Sequence, residues 1–173
     1  MLRMRARAGP SYIVHPSDTA PALVVLGATI KIAGSAGEKT IPVEKFFVLP
    51  SVDYKRENVL GPGEIVTEIF VPIPTPGSKG FYHKVRERLA WDHAIVAVAT
   101  IIETSGTAVR DGRRSADPMA RGQSRRVRGK AINEANAKRA GEIALEGAKP
   151  LKDNGYKISI ARDLIQRAVL ASV

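Results

Sequence analysis

The spacing of hydrophobic positions along this 173-residue chain is strand-like from about residue 28 to about residue 105 and helix-like after about residue 131. Residues 28–33 (ATIKIA) alternate polar and apolar as a half-buried strand does, and residues 39–43 follow the turn residues 34–37 as the second arm of a hairpin. Residues 65–73 (IVTEIFVPI) form a β-branched run broken only by Thr67 and Glu68, the pattern of a well-buried strand. Residues 81–90 (FYHKVRERLA) and 94–103 (AIVAVATIIE) predict two long strands of one sheet, the second more buried than the first. Before the first strand, Ser17 and Asp18 precede TAPALVVL, which predicts a short helix with Ser17 as its cap, Pro21 near its first turn and Gly27 as its stop. Near the end, Asn133 caps a helix through Leu145 with Gly147 as its left-handed stop. Residues 159–173 then put Ile160, Leu164, Ile165, Ala168 and Val169 on one helical stripe.

Strands followed by helices predict an α+β fold. The cluster Pro72, Pro74, Pro76 and Gly77 is the clearest boundary, because proline removes ladder donors and fixes φ. It divides the chain into units of residues 10–77 and 78–173. The first is expected to combine a helix with mixed or antiparallel strands, the second an antiparallel sheet with helices.

Charge alters this picture in one place. The formal net charge is +10, but Arg3, Arg5 and Arg7 supply +3 and residues 110–130 (RDGRRSADPMARGQSRRVRGK) another +6, so the remainder is balanced. A nucleic-acid binder that is basic throughout would not be distributed this way. There is no cysteine, which excludes disulfides and thiolate metal sites and fits a reducing compartment. No apolar run approaches the ~20 residues that span a bilayer, so a cytoplasmic location is expected.

Candidate chemistry is sparse. The sequence holds no GxSxG, HExxH or GxxxxGK[ST] motif. The LGPGE stretch (residues 60–64) reads as a turn, since no helix follows at dinucleotide-fingerprint spacing. Asp18 can be read as no more than the acid of a helix start, or as a functional carboxylate. Lys84, Arg86 and Arg88, spaced by two, share one strand face, where they can steady an anion or simply face water. Trp91, Asp92 and His93 fall at the turn between two strands, with His93 read as structural.

In this order, HPSDTAPALVVLGATIKIAG, EKTIPVEKFF, VLGPGEIVTEIFVPIP and FYHKVRERLAWDHAIVAVA resemble the FAD-binding medium subunit of the molybdopterin-dependent dehydrogenases, the group of xanthine dehydrogenase, aldehyde oxidoreductases and aerobic carbon monoxide dehydrogenase. The resemblance covers residues 12–103 and resumes from Lys130. It implies a second FAD-binding subdomain followed by a C-terminal α+β domain. It also implies electron transfer from a molybdopterin-binding large subunit, through iron–sulfur clusters on a small subunit, to FAD and an external acceptor. By the same resemblance the aspartate of the SD-x-x-P motif falls on Asp18 as a flavin hydrogen-bonding group, and the apolar position after the EI pair falls on Val66, with Ile65 beside it. The lysine after the aromatic pair falls on Lys84, whose charge near the isoalloxazine favours its reduced form.

The half of that subunit carrying the glycine-rich pyrophosphate loop has no counterpart in this sequence, so most flavin-holding amides are expected to be missing and the isolated chain to have little or no activity. Within residues 110–130, fifteen of twenty-one residues are Arg, Gly, Ala, Ser or Pro, the composition of GC-rich coding DNA read out of frame. Residues 1–8 have the same character. If residues 112–128 replace a buried strand and helix start, the second sheet is expected to lose an edge and residues 94–103 to expose apolar surface. The competing function is a flexible basic arm that binds nucleic acid or another polyanion. The segment carries no aromatic residue to stack on bases.

Overall fold

The computed structural model describes residues 17–48, 52–53, 55–105, 108–115, 129–148, 150 and 152–172; Arg3, Arg5, Arg7 and residues 116–128 lie outside them. Helix α1 (Ala20–Leu26) begins where the Ser17 hydroxyl accepts a hydrogen bond from Ala20 N–H at 3.1 Å. The cap position itself falls on Thr19 instead of Ser17, and Pro21 sits in the first turn, where its missing N–H costs nothing. Gly27 ends the helix at φ +70°, a left-handed conformation glycine adopts without a Cβ clash.

The chain then forms β1 (Thr29–Gly34) and β2 (Gly37–Pro42), a hairpin, followed by a single 3₁₀ turn (Val43–Lys45). Strand β3 (Ile65–Phe70) completes an antiparallel sheet of order β2-β1-β3. Ile30 and Ile32 project from the inner face of β1 into a core with Ala28 and Val43, against which half-buried Leu23, Val24, Phe46 and Phe47 pack. On the outer face Lys31 bridges the sheet, meeting Glu38 at 3.1 Å and Glu68 at 2.8 Å. Strand β3 is not the well-buried strand its composition predicts. It is an edge strand, and every residue in it is exposed, Ile69 at 52% and Phe70 at 48%. An apolar run is consistent with burial on both faces, but burial needs elements to cover those faces, and composition does not supply them.

The second antiparallel sheet, order β4-β5-β6, is built from β4 (Lys79–Val85), β5 (Val96–Ser105) and β6 (Ala108–Ser115). The expected loss of an edge is overturned: β6 pairs with β5 through Ser115, and β5 stays central, with Val98, Ala99 and Ile102 no more than 2% exposed. A ladder is made by main-chain groups, so a strand can form from residues 108–115 despite their charge. Strand β4 is also shorter than predicted. Beyond Val85 the Asp92 carboxylate accepts hydrogen bonds from the N–H groups of Glu87 and Arg88, at 3.0 and 2.9 Å, and turns the chain into a loop. Arg86 and Arg88 therefore leave the strand, and only Lys84 of the three basic residues remains on it.

Helices α2 (Glu134–Ala144) and α3 (Tyr156–Leu170) cover one face of this sheet. Asn133 caps α2 by accepting from Asn136 N–H at 2.9 Å, and Gly147 is left-handed at φ +83°. The predicted stripe of α3 packs Leu164, Ile165 and Val169 against Val96, Val98 and Ile102. Helix α1 packs against β5 and β6. It lies on the opposite face, since Lys84 and Tyr82, which reach its start, pair in register with Ala97 and Ala99. Small residues there let a helix approach closely. The second sheet is thus the middle of three layers, an α+β arrangement.

Two outcomes follow. At Gly141, a Cβ would lie 2.9 Å from Arg162 Cγ and 3.0 Å from the Arg162 main-chain oxygen, so α2 and α3 touch there. Gly141→Val is expected to destabilise by about 1–3 kcal/mol through overpacking, read as a lower urea midpoint at unchanged slope. The Asp92 carboxyl is held below its usual range, chiefly by the N–H of Arg88. A depressed carboxyl stabilises above its unfolded pKa of about 4 and loses that contribution as pH falls through its folded value. Emission from Trp91, the one tryptophan, is expected to change as pH is lowered through that window, and Asp92→Asn is expected to abolish the change.

Candidate functional site

The residues with chemical potential gather where α1 meets both sheets. The hydroxyls of Ser17 and Thr19 lie 3.2 Å apart, and with Ser17 held to Ala20 N–H they fix the stretch from which Asp18 projects. Lys84, on the face of β4 turned toward α1, donates to Asp18 Oδ2 at 2.7 Å. Its own side chain is only 16% exposed, whereas that of Asp18 is 59% exposed. Tyr82, two residues earlier on the same face, also bonds to Asp18, and burial, followed by the charge of Asp18, pushes its hydroxyl pKa up. With one partner open to water the ion pair contributes only ~0.2–1 kcal/mol, so it orients more than it stabilises.

Two cavities flank this stretch. The first, about 150 Å³, is an apolar groove bordered by Ser17 and Thr19, floored by Ile30, Val66 and Ile69, and walled by Phe46 and Phe47. Residues three apart on a regular strand face opposite ways. A register shift between Lys31 and Ile32 leaves Thr67 without a partner in the ladder, so Val66 lies opposite Ile32 and Ile69 opposite Ile30, and both reach the groove. The second cavity, about 300 Å³, is lined by Asp18, Trp91, Asp92 and His93.

Of the residues singled out from sequence, Asp18 and Lys84 are in direct contact, and Val66 lines the groove beside them. Ile65 is not gathered with them: it lies opposite Ala33 and is 63% exposed, on the face of β3 away from the groove. Tyr82 and Ile69 were not singled out. The period-two spacing from Lys84 was the signal for Tyr82, whereas Ile69 depends on a bulge that the sequence does not announce. The LGPGE stretch is a self-closed turn: Glu64 N–H donates to Gly61 O at 3.1 Å, and the Glu64 carboxylate accepts from Gly61 N–H at 2.7 Å. Gly61 N–H is therefore not free to hold a phosphate. Among the described residues there is no cluster of His, Cys, Asp or Glu that could hold a metal ion, and no helix long and apolar enough to cross a membrane.

Residues 11–74 match the FAD binding domain in molybdopterin dehydrogenase. The chain is 30% identical over 149 residues to the aldehyde oxidoreductase FAD-binding subunit PaoB of Escherichia coli K12, which covers 86% of this chain and 45% of PaoB. It is 27% identical over 92 residues to the carbon monoxide dehydrogenase medium chain of Afipia carboxidovorans, covering 53% of this chain and 30% of that one. Its fold is similar to a chain of quinoline 2-oxidoreductase from Pseudomonas putida 86, with a TM-score of 0.75 and 24% identity over 92% of this chain and 56% of the other. A chain of the Cu,Mo-CO dehydrogenase gives a TM-score of 0.77 at 20% identity, over 90% and 57% of the two chains. The chain thus spans about half the length of PaoB and of the structurally similar chains, and less of the carbon monoxide dehydrogenase medium chain. The matched domain and the PaoB similarity favour flavin binding over nucleic-acid binding. The matched domain thus marks residues 11–74 as an FAD-binding domain of the molybdopterin dehydrogenase kind, and the PaoB similarity extends the likeness to FAD-binding subunits of such enzymes over most of this chain.

Proposed function

We propose that this chain is an FAD-binding, electron-transferring part of a molybdenum hydroxylase-type oxidoreductase, with molybdopterin on a large partner subunit and iron–sulfur clusters on a small one. The observation that carries this reading is the convergence of Asp18, Lys84 and Val66 on one stretch of surface within a matched FAD-binding fold. The flavin supplies the redox chemistry when bound, accepting and releasing electrons. The protein's part is positioning and electrostatics. Val66 and Ile69 offer an apolar bed, Asp18 accepts hydrogen bonds, and Lys84 places a positive charge that favours added electron density nearby.

The donor set fits the ring end of the cofactor: an apolar groove, an exposed carboxylate and a half-sequestered ammonium lie side by side. Ile65 belongs to this reading only as a neighbour of Val66, since it faces the other way. The division into a flavin-binding unit of residues 10–77 and a C-terminal unit of residues 78–173 is part of the same proposal, with Lys84 reaching from the second unit to the first. A cytoplasmic assembly is the location that a cysteine-free chain fits. The substrate is set by the molybdenum subunit and is not encoded in these residues.

Titration of the purified chain with FAD, followed by the flavin absorption spectrum, tests the site. Weak but saturable binding is expected, with Asp18→Asn and Lys84→Met each weakening it about tenfold, the size of a lost charge-assisted hydrogen bond. Binding unaffected by either change contradicts the assignment. The isolated chain is expected to show no aldehyde or purine oxidation, because this reading puts the substrate-activating molybdopterin on the large partner subunit.

A further inference from the structure

Trp91 is the single tryptophan of the chain, and it is 97% exposed at the head of the β4–β5 loop. It is also the only non-glycine residue at positive φ among the described residues, at +54°, a conformation that costs a bulky side chain energy and persists only where its surroundings impose it. Those surroundings are specific. Asp92 fixes the loop through the N–H groups of Glu87 and Arg88, and the Arg88 guanidinium donates to the Trp91 carbonyl at 2.8 Å. The result is an indole held out from the fold on a braced backbone. It borders the 300 Å³ cavity that is also lined by Asp18, the carboxylate paired with Lys84.

We propose that Trp91 stacks on the isoalloxazine ring of the flavin and fixes it against Asp18 and Lys84. This inference rests on the flavin-site reading above and adds a residue to it. Indole is an electron-rich π system and the oxidised isoalloxazine is an electron-poor one, so a face-to-face contact is attractive beyond the area it buries. The braced backbone gives the contact its value: the main chain at Trp91 is held at the cavity before the ligand arrives, so little main-chain freedom is lost on binding. Trp91 is a binding and positioning residue and moves no proton.

The sole-tryptophan composition makes the test direct. The full 173-residue chain is titrated with FMN, FAD and ADP while Trp91 emission and flavin anisotropy are both recorded. FMN and FAD are expected to quench Trp91 saturably, in step with the anisotropy, while ADP leaves it unchanged. Trp91→Ala is expected to weaken FMN binding about fivefold to thirtyfold, in line with base–aromatic stacking, and Trp91→Phe to recover most of it. FMN binding that depends on Asp18 and Lys84 but leaves Trp91 emission and the Trp91→Ala affinity unmoved overturns the stacking role and preserves the site. Quenching by ADP to the same extent as by FMN also overturns it, assigning the indole to the adenine. Absence of saturable flavin binding, or binding indifferent to Asp18→Asn and Lys84→Met, overturns the site reading and the stacking role together.

Discussion

The seven residues of α1 are packed on two sides, and the rest of the molecule is arranged by that fact. Leu23 and Val24 join the core of the first sheet, while the helix lies against β5 and β6 of the second. Ala20 and Val25 are nearly inaccessible, at 3% and 4%. A helix this short has little stability of its own, so its conformation is owed to tertiary contacts. It is also the mechanical link between the sheets, and its start is the place where groups from both can meet. Asp18 sits there, clasped by Lys84 and Tyr82 from the far side.

Two local irregularities complete the site. The bulge at Thr67 turns Val66 and Ile69 to the same side of an edge strand, which widens an apolar groove next to Asp18. The Asp92 loop ends β4 at Val85 and leaves Lys84 as the second-to-last residue of the strand, close to the loop that carries Trp91. Both devices break a regular ladder at a small cost and redirect side chains, a common use of bulges and strand ends beside binding sites.

Much of this was legible in the chain. Period-two spacing located β1, an almost wholly apolar run located β5, Gly27 and Asn133 marked helix ends, and the α3 stripe from Leu164 to Val169 gave the core of the second layer. What escaped had physical reasons. The apolar composition of β3 signals a need for cover, whereas its exposure depends on which elements are present to provide it. The alternation of residues 81–90 continues through Arg88, but a carboxylate six residues beyond Arg86 captures the main-chain donors and stops the strand. Residues 108–115 read as a charged break, yet their backbone pairs as any strand's does. For the site, Asp18, Val66 and Lys84 came from resemblance to a family; the ion pair between the first and last of these came only with the fold.

The central claim is that the flavin surface of this chain lies at the α1 junction and not on the arginine-rich segment. The most direct measurement is a map of backbone amide chemical shifts in the isotopically labelled chain as FMN is added. The account predicts that the largest shifts fall on residues 17–20, 66–69, 82–84 and 91–93, with residues 110–130 little changed at physiological salt. Shifts concentrated in residues 110–130 and fading as salt is raised, with the junction silent, would contradict it.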